Sequence, residues 1–155
     1  MPGALPQLDF PEGSPFQIRQ RGTGAVILDR VRRRFVRLTP EEWVRQHLLR
    51  TLIEHLHYPP GLLQLEPTLS TPAGPRRPDV VAFGRDRRPV LRAECKAPGV
   101  RLDQNVFDQV SRYNVVTGAP VLFVTNGREH FCWRVDPVAG TYQFLNGIPI
   151  LPRES

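Results

Sequence analysis

The alternation of apolar and polar residues predicts two helices and a larger number of short strands. Thr39 and Pro40 are typical of a helix start, and apolar residues then recur at helical spacing until Tyr-Pro-Pro-Gly at residues 58–61 ends the segment. A second amphipathic helix is predicted over residues 103–117, with Gly118 as its stop. These two helices are the longest regular elements that the pattern indicates.

The remaining patterned segments are too short for typical helices and are predicted to be strands. The first three form a small antiparallel meander. The predicted strands are residues 16–19, 25–28 and 34–38 in the meander, and then 63–69, 79–84, 89–97, 119–125, 131–135 and 142–145. This order of elements predicts an α/β fold in which a mixed sheet is flanked by helices.

A chain of 155 residues is long enough to bury one substantial core. Residues 1–14 contain three prolines and two glycines without periodicity, so we interpret them as an irregular arm. Residues 15–155 are predicted to form a single domain, which includes the meander at residues 15–38. No stretch approaches the roughly 20 apolar residues of a membrane span and no leader is visible, so we expect a soluble, cytoplasmic protein.

The charge of the chain favours a polyanionic partner. The net charge is +6 and the isoelectric point is about 10.3, which makes nucleic acid the natural candidate. Part of this charge reflects a general preference for arginine, because only Lys96 among the 21 basic residues is a lysine. A compact ammonium approaches a water molecule or a phosphate oxygen more closely than a guanidinium does. Lys96 is therefore a candidate functional residue.

Two acids and this lysine fall on neighbouring predicted strands. Alternation along a strand puts Glu94 and Lys96 on one side and Cys95 on the other. If the strand at Asp79 pairs with this strand as a hairpin, the carboxylates of Asp79 and Glu94 reach a common point. Mg²⁺ usually takes one or two protein carboxylates, so we predict Asp79, Glu94 and the main-chain carbonyl of Cys95 as its ligands, with Mn²⁺ as a substitute. Such an ion polarises a phosphate and activates water, while Lys96 orients the nucleophile or stabilises the developing charge.

Five motifs carry a resemblance to a known family: TPEEWVRQ at residues 39–46, RPDVV at 77–81, ECKAP at 94–98, QVSRY at 109–113 and FVTNG at 123–127. They resemble the N-terminal nuclease domain of type I restriction enzyme R subunits, within the PD-(D/E)xK superfamily. The resemblance covers nearly the whole chain after the arm. It implies a restriction-endonuclease-like core and a Mg²⁺-dependent DNA endonuclease.

The resemblance also implies roles for individual residues. Asp79 and Glu94 correspond to metal ligands, and Lys96 to the catalytic lysine. Gln109 and Tyr113 match a QxxxY element that supports the site or contacts the nucleic-acid backbone, and their spacing puts them on one helix face.

An acid at the start of the first helix is a further expected site residue. The resemblance places Glu42 near the metal, but Glu42 is also the natural capping-box residue, and Glu41 is the alternative. Arg76 and Arg77, immediately before Asp79, are expected to contact the phosphate backbone. The arginines of the turn at residues 85–88 are expected to flank the same site.

DNA is the expected partner, without sequence readout by the chain itself. In the family that the motifs resemble, the domain is joined to a translocating motor, but this chain has no GxxxxGK[ST] loop. We therefore expect it to act alone or with a separate helicase or specificity protein. Two alternatives stay open: a non-cleaving nucleic-acid-binding module with the same fold, and a structure-selective homodimer of the junction-resolving kind.

Overall fold

Two sheets and two helices make up the described part of the chain, residues 4–66, 79–136 and 138–151 of a computed structural model. The first sheet contains β1, β2 and β3, and the second contains β4 to β9 in sequence order. The elements are β1 Ile18–Arg21, β2 Gly24–Asp29, β3 Arg34–Arg37, α1 Pro40–Glu54, a short 3-10 helix Pro60–Leu62, β4 Leu63–Leu65, β5 Val80–Phe83, β6 Pro89–Cys95, α2 Gln104–Thr117, β7 Val121–Thr125, β8 His130–Asp136 and β9 Thr141–Leu145.

The larger sheet is mixed. Strands β6 and β7 run parallel, and α2 makes the crossover between them, whereas the other neighbours pair antiparallel. The three strands of the smaller sheet form the predicted meander. The predicted fold class, a mixed sheet flanked by helices and preceded by an antiparallel meander, is confirmed.

The two helices cover opposite faces of the larger sheet. On one face, Val44 and Leu48 of α1 pack with Leu91, Ala93 and other residues of the same strand phase. On the other face, Val110 of α2 packs with residues of the alternate phase, namely Leu122, Val124 and Trp133. Because side chains of a strand alternate, β7 and β8 contribute to both clusters.

Both helices begin where their capping residues predict, but α1 ends at Glu54, four residues before the predicted stop at residues 58–61. The Thr39 hydroxyl accepts the backbone N–H of Glu42 at 3.0 Å, and the Asp103 carboxylate accepts that of Val106 at 3.2 Å. Gly118 ends α2 with a φ of 68°, a conformation that glycine adopts without strain. None of the helices within the described ranges is long and apolar enough to cross a membrane.

Residues 4–14 of the arm pack against the domain although they form no helix or strand. The indole N–H of Trp43 donates to the Pro6 carbonyl at 2.9 Å, and the backbone N–H of Asp9 donates to the Gly127 carbonyl at 2.7 Å. Leu8 is buried directly over Gly127, whose φ is 87°. A side chain at Gly127 would meet Leu8, so glycine here permits the close approach of the arm. The domain boundary at residue 15 stays a prediction.

The strand predicted at residues 63–69 is shorter than expected. Strand β4 ends at Leu65, and Glu66 follows with a φ of 47°. Residues 67–69 lie outside the described part of the chain.

Candidate active site

The β5–β6 hairpin brings the two predicted carboxylates together. Val80 pairs with Ala93, so Asp79 and Glu94 fall opposite each other where the hairpin opens. Asp79 lies one residue before β5 and is 7% exposed. Its Oδ2 atom accepts the backbone N–H of Cys95 at 2.5 Å, which fixes the carboxylate against the end of β6.

Glu94 lies in an environment that disfavours its ionised form. Burial and the hydrogen-bonded neighbour Asp79 raise the pKa of Glu94 to about 7, although Arg92 acts in the opposite direction. The Arg92 Nη2 atom donates to Glu94 Oε1 at 3.2 Å from two residues away on the same strand face. With a pKa near 7, the Glu94 carboxyl is only partly ionised at neutral pH.

Lys96 follows immediately after β6. Its backbone N–H donates to the Thr125 carbonyl at 2.8 Å, which continues the pairing of β6 with β7, and its side chain is half-buried. Burial and Asp79 raise the pKa of Glu41, whereas Arg45 and Lys96 lower it. Glu41, Asp79 and Lys96 therefore share one electrostatic neighbourhood.

A buried arginine of α1 joins the acids of this neighbourhood. The Arg45 Nη2 atom lies 2.9 Å from Asp79 Oδ1, 3.0 Å from Glu41 Oε1 and 3.2 Å from Glu66 Oε1. Its Nη1 atom lies 2.7 Å from Glu42 Oε1. Burial lowers the pKa of Arg45, but Glu42 and Asp79 outweigh burial and hold it above its usual range. The guanidinium thus stays charged and ties α1 to Asp79.

Glu42 connects α1 to the meander. Its Oε1 atom accepts from Arg45 and, at 3.3 Å, from Arg32, and its Oε2 atom accepts from Gln46 at 3.0 Å. Gln46 also donates to Asp29 Oδ2 at 2.8 Å. The sequence left open which first-helix acid joins the site. The structure gives Glu42 this connecting position, whereas Glu41 pairs with Arg45 and is within electrostatic range of Asp79 and Lys96.

The described structure gives less support to the other residues that were predicted for the site. Gln109 is exposed on α2, and the side chain of Tyr113 is outside the described part, so both roles stay predictions. Arg76 and Arg77 lie outside the described residues. The expectation that the arginines of the turn at residues 85–88 flank the site is wrong, because Phe83 pairs with Pro89 at the far end of the hairpin from Asp79.

The oxygen donors fit a hard divalent cation. Asp79 and Glu94 offer carboxylate oxygens, each of which has two lone pairs, so the bonds to Arg45 and Cys95 leave acceptor capacity on Asp79. The Cys95 thiol is buried in the core, so only its carbonyl is a candidate. No group of three or more His, Cys, Asp or Glu side chains within the described ranges is arranged to hold a metal. The candidate set is therefore two carboxylates and one main-chain oxygen.

Sequence reasoning missed three charged residues of this site: Arg45, Glu66 and Arg92. Two of them carried a signal, because Arg45 occupies a core-facing helical position beside Val44 and Leu48, and Arg92 interrupts an apolar strand. A buried charge requires a partner, so each position predicts a nearby acid. Glu66 gave no such signal, since its contact with Arg45 depends on the tertiary fold.

The fold and the site define a restriction-endonuclease-like α/β domain with two acids and a lysine at the open end of a hairpin. The chain belongs to the family described as type I restriction enzyme R protein N terminus (HSDR_N), whose model matches residues 40–149. The resemblance inferred from the five sequence motifs is confirmed.

A solved structure shows the same fold at low sequence identity. It is described as a fragment of an HsdR subunit of a type I restriction enzyme from Vibrio vulnificus YJ016, with 21% identity and a TM-score of 0.51. The similarity covers 72% of the present chain and 24% of that chain, so this chain spans about a quarter of its length. A comparison with curated proteins found no match.

Proposed function

We propose that this domain is a Mg²⁺-dependent endonuclease that hydrolyses phosphodiester bonds of DNA with Asp79, Glu94 and Lys96. The observation that carries the proposal is that Asp79 and Glu94 lie opposite each other at the open end of the hairpin, where burial, followed by the charge of Asp79, raises the pKa of Glu94 to about 7. Such a pair is stabilised by a cation, and strongly perturbed acids mark functional sites. Membership in a family of restriction-enzyme R proteins supports the assignment of DNA as the substrate.

Each residue of the site has a separate proposed role. Asp79, Glu94 and the Cys95 carbonyl would hold Mg²⁺, which when bound supplies polarisation of the phosphate and activation of water. The Lys96 ammonium orients the attacking water or stabilises negative charge at the phosphate. Arg45 holds Asp79 in place through its hydrogen bond, and Arg92 does the same for Glu94.

Cleavage of supercoiled plasmid tests the proposal. The wild type should nick or linearise DNA in Mg²⁺ or Mn²⁺ and be inactive in EDTA. Lys96→Met removes the ammonium from a half-buried side chain and should reduce the rate by a factor of about 100 or more, as loss of one charge-stabilising donor does. Glu94→Gln should have a similar effect.

Arg87→Gln is the matched control, because Arg87 is exposed at the closed end of the hairpin, away from Asp79. Its rate should equal that of the wild type. Cleavage by purified Lys96→Met at the wild-type rate contradicts the assignment, since activity would then come from another site or another protein.

A second candidate is a DNA-binding module that keeps the fold but does not cleave. It is favoured by the bonds of both Asp79 oxygens to Arg45 and Cys95, and by the lack of a third metal-directed acid within the described residues. In that case the wild type binds DNA but leaves it intact with every divalent cation. The same plasmid assay separates the two functions.

The biological setting is part of the proposal. Restriction would require a translocating motor and a specificity protein, either as further segments or as separate subunits. We propose a role in such a system on the family alone. Plasmid cleavage that requires an added motor and ATP would support this arrangement.

A further inference from the structure

The meander has an unusual charge. Between residues 16 and 38 the chain has seven arginines and a single acid, Asp29. Asp29 is fully buried, where it accepts the backbone N–H groups of Val31 and Arg32. The solvent-exposed surface of this sheet is therefore basic.

Only some of these arginines have acidic partners. Arg30 pairs with Glu54 at 2.9 Å, and Arg32 pairs with Glu42 at 3.3 Å. Five others are exposed and form no ion pair within the part of the chain that the structure describes: Arg19, which stacks on the Phe35 ring, and Arg21, Arg33, Arg34 and Arg37. Their charge is available to an external ligand.

Two of the unpaired arginines line an open cleft. All four residues of β3 lie along one side of a cavity of about 520 Å³. Consecutive strand residues point to opposite faces, so a cavity lined by all of them follows the free edge of β3. The other side is formed by Glu42 and Arg45 of α1 together with Leu65 and Glu66.

The cleft leads to the candidate active site. Arg45, on its far side, donates to Asp79 at 2.9 Å, and the backbone N–H of Glu66 donates to the Asp79 carbonyl at 2.9 Å. Within the cleft, Arg32 and Arg45 neutralise Glu42 and Glu66 through ion pairs.

Of the arginines that line the cleft, Arg34 and Arg37 have no acidic partner within the described residues. In the backbone register of β2 and β3, Arg34 lies opposite Asp29 and Arg37 lies opposite Val26. Because they are three positions apart on one strand, the two arginines extend from opposite faces of the same edge. They are three residue steps apart along the strand, roughly 10 Å, which equals about three base-pair steps along the axis of a DNA duplex.

We propose that the edge of β3 binds the phosphodiester backbone of DNA, with Arg34 and Arg37 contacting phosphates of the strand that enters the Asp79–Glu94 site. The inference rests on the proposed function and adds a substrate-binding element to it. Strand β3 lies outside residues 40–149, which the family model matches. Phosphate contacts carry no sequence information, so the edge positions DNA without selecting a sequence.

Binding of a fluorescent duplex in EDTA tests the inference without cleavage. The double variant Arg34→Gln/Arg37→Gln should bind at least about tenfold more weakly than the wild type at low salt. Its plot of log K against log salt should lose a slope of about 2, since each phosphate contact contributes about 0.9. The control Arg87→Gln/Arg88→Gln removes the same charge from the exposed turn far from the cleft and should bind nearly as the wild type does.

Equal losses of affinity and slope in the two double variants would overturn the inference, because net charge alone would then account for binding. A wild type that does not bind duplex DNA would overturn it as well. Thermal unfolding should be the same for the wild type and both variants, since all four side chains are exposed. If only Arg34→Gln/Arg37→Gln shows a folding defect, the variant Arg34→Lys/Arg37→Lys is used in its place. It keeps both positive charges and should restore most of the affinity.

The outcomes also separate this inference from the proposed hydrolysis. If the wild type cleaves but Arg34→Gln/Arg37→Gln binds normally, the β3 contact is wrong and hydrolysis stands. If that variant binds poorly and the wild type never cleaves, the β3 contact stands and hydrolysis is wrong.

Discussion

Replacing Arg45 with methionine removes the guanidinium that joins Glu41, Glu42, Glu66 and Asp79. Arg45 is 4% exposed, and methionine retains much of its length and apolar volume. The substitution therefore tests the charge more than the packing. We expect a large loss of stability, because the acids that remain are left without their counterion.

The magnitude follows from the burial of the partners. Glu42 is 6% exposed and Asp79 is 7% exposed, and removing one member of a buried ion pair costs about 3–5 kcal/mol. The Glu41 and Glu66 side chains are 47% and 44% exposed, so each of those pairs adds at most about 1 kcal/mol. A domain of this size loses about 2–4 °C in Tm for each kcal/mol, so a total of about 3–7 kcal/mol gives a decrease of about 6–28 °C.

Thermal unfolding followed by circular dichroism, at pH 7 in EDTA, measures this loss. Arg37→Met is the matched control, because Arg37 is exposed and forms no ion pair within the described residues, so its Tm should change by no more than about 2 °C. A decrease of less than about 2 °C for Arg45→Met would refute the view that this arginine stabilises the acidic cluster.

Two further predictions concern stability. In EDTA, the free energy of unfolding of the wild type should fall between about pH 4.5 and pH 7, because folded Glu94 keeps a proton that the unfolded chain loses. The Glu94→Gln variant, measured at the same two pH values, should lack up to about 3 kcal/mol of this fall. This figure is the rise in the Glu94 pKa from 4.5 to about 7, about 2.5 units, at about 1.36 kcal/mol per unit. Gly127→Ala should lower the Tm more than Gly118→Ala does, because both have positive φ but only at Gly127 would the added Cβ lie 2.8 Å from a Leu8 carbon.

Much of the fold was predictable from local patterns. Thr39 and Asp103 mark helix starts through side-chain oxygens that act within three residues, and Gly118 marks an end through its own φ. Strand alternation likewise predicted that Cys95 points away from Glu94, which agrees with its burial in the core, and the hairpin that was considered for the strands at Asp79 and Glu94 is formed. These features depend on neighbours in sequence.

The rest of the site depends on contacts between distant segments. Glu41 and Glu42 are adjacent in sequence, and only the position of Arg32 and Gln46 shows which acid is held by the meander. The contact of Glu66 with Arg45 spans 21 positions, and it depends on the tertiary position of β4 beside β5. The prediction for the turn at residues 85–88 failed because proximity to Asp79 in sequence was taken for proximity in space.

The central claim is that Asp79 and Glu94 form a divalent-cation site. Anomalous diffraction from crystals of the metal-free protein soaked in Mn²⁺ tests it most directly. We predict one strong peak between the two carboxylates, at roughly 2.0–2.2 Å from their oxygens, with the Cys95 carbonyl as a further ligand. The peak should be lost in Asp79→Asn crystals soaked in the same way. Crystals with no Mn²⁺ at this pair, and with the Arg45 contact to Asp79 unchanged, would contradict the account.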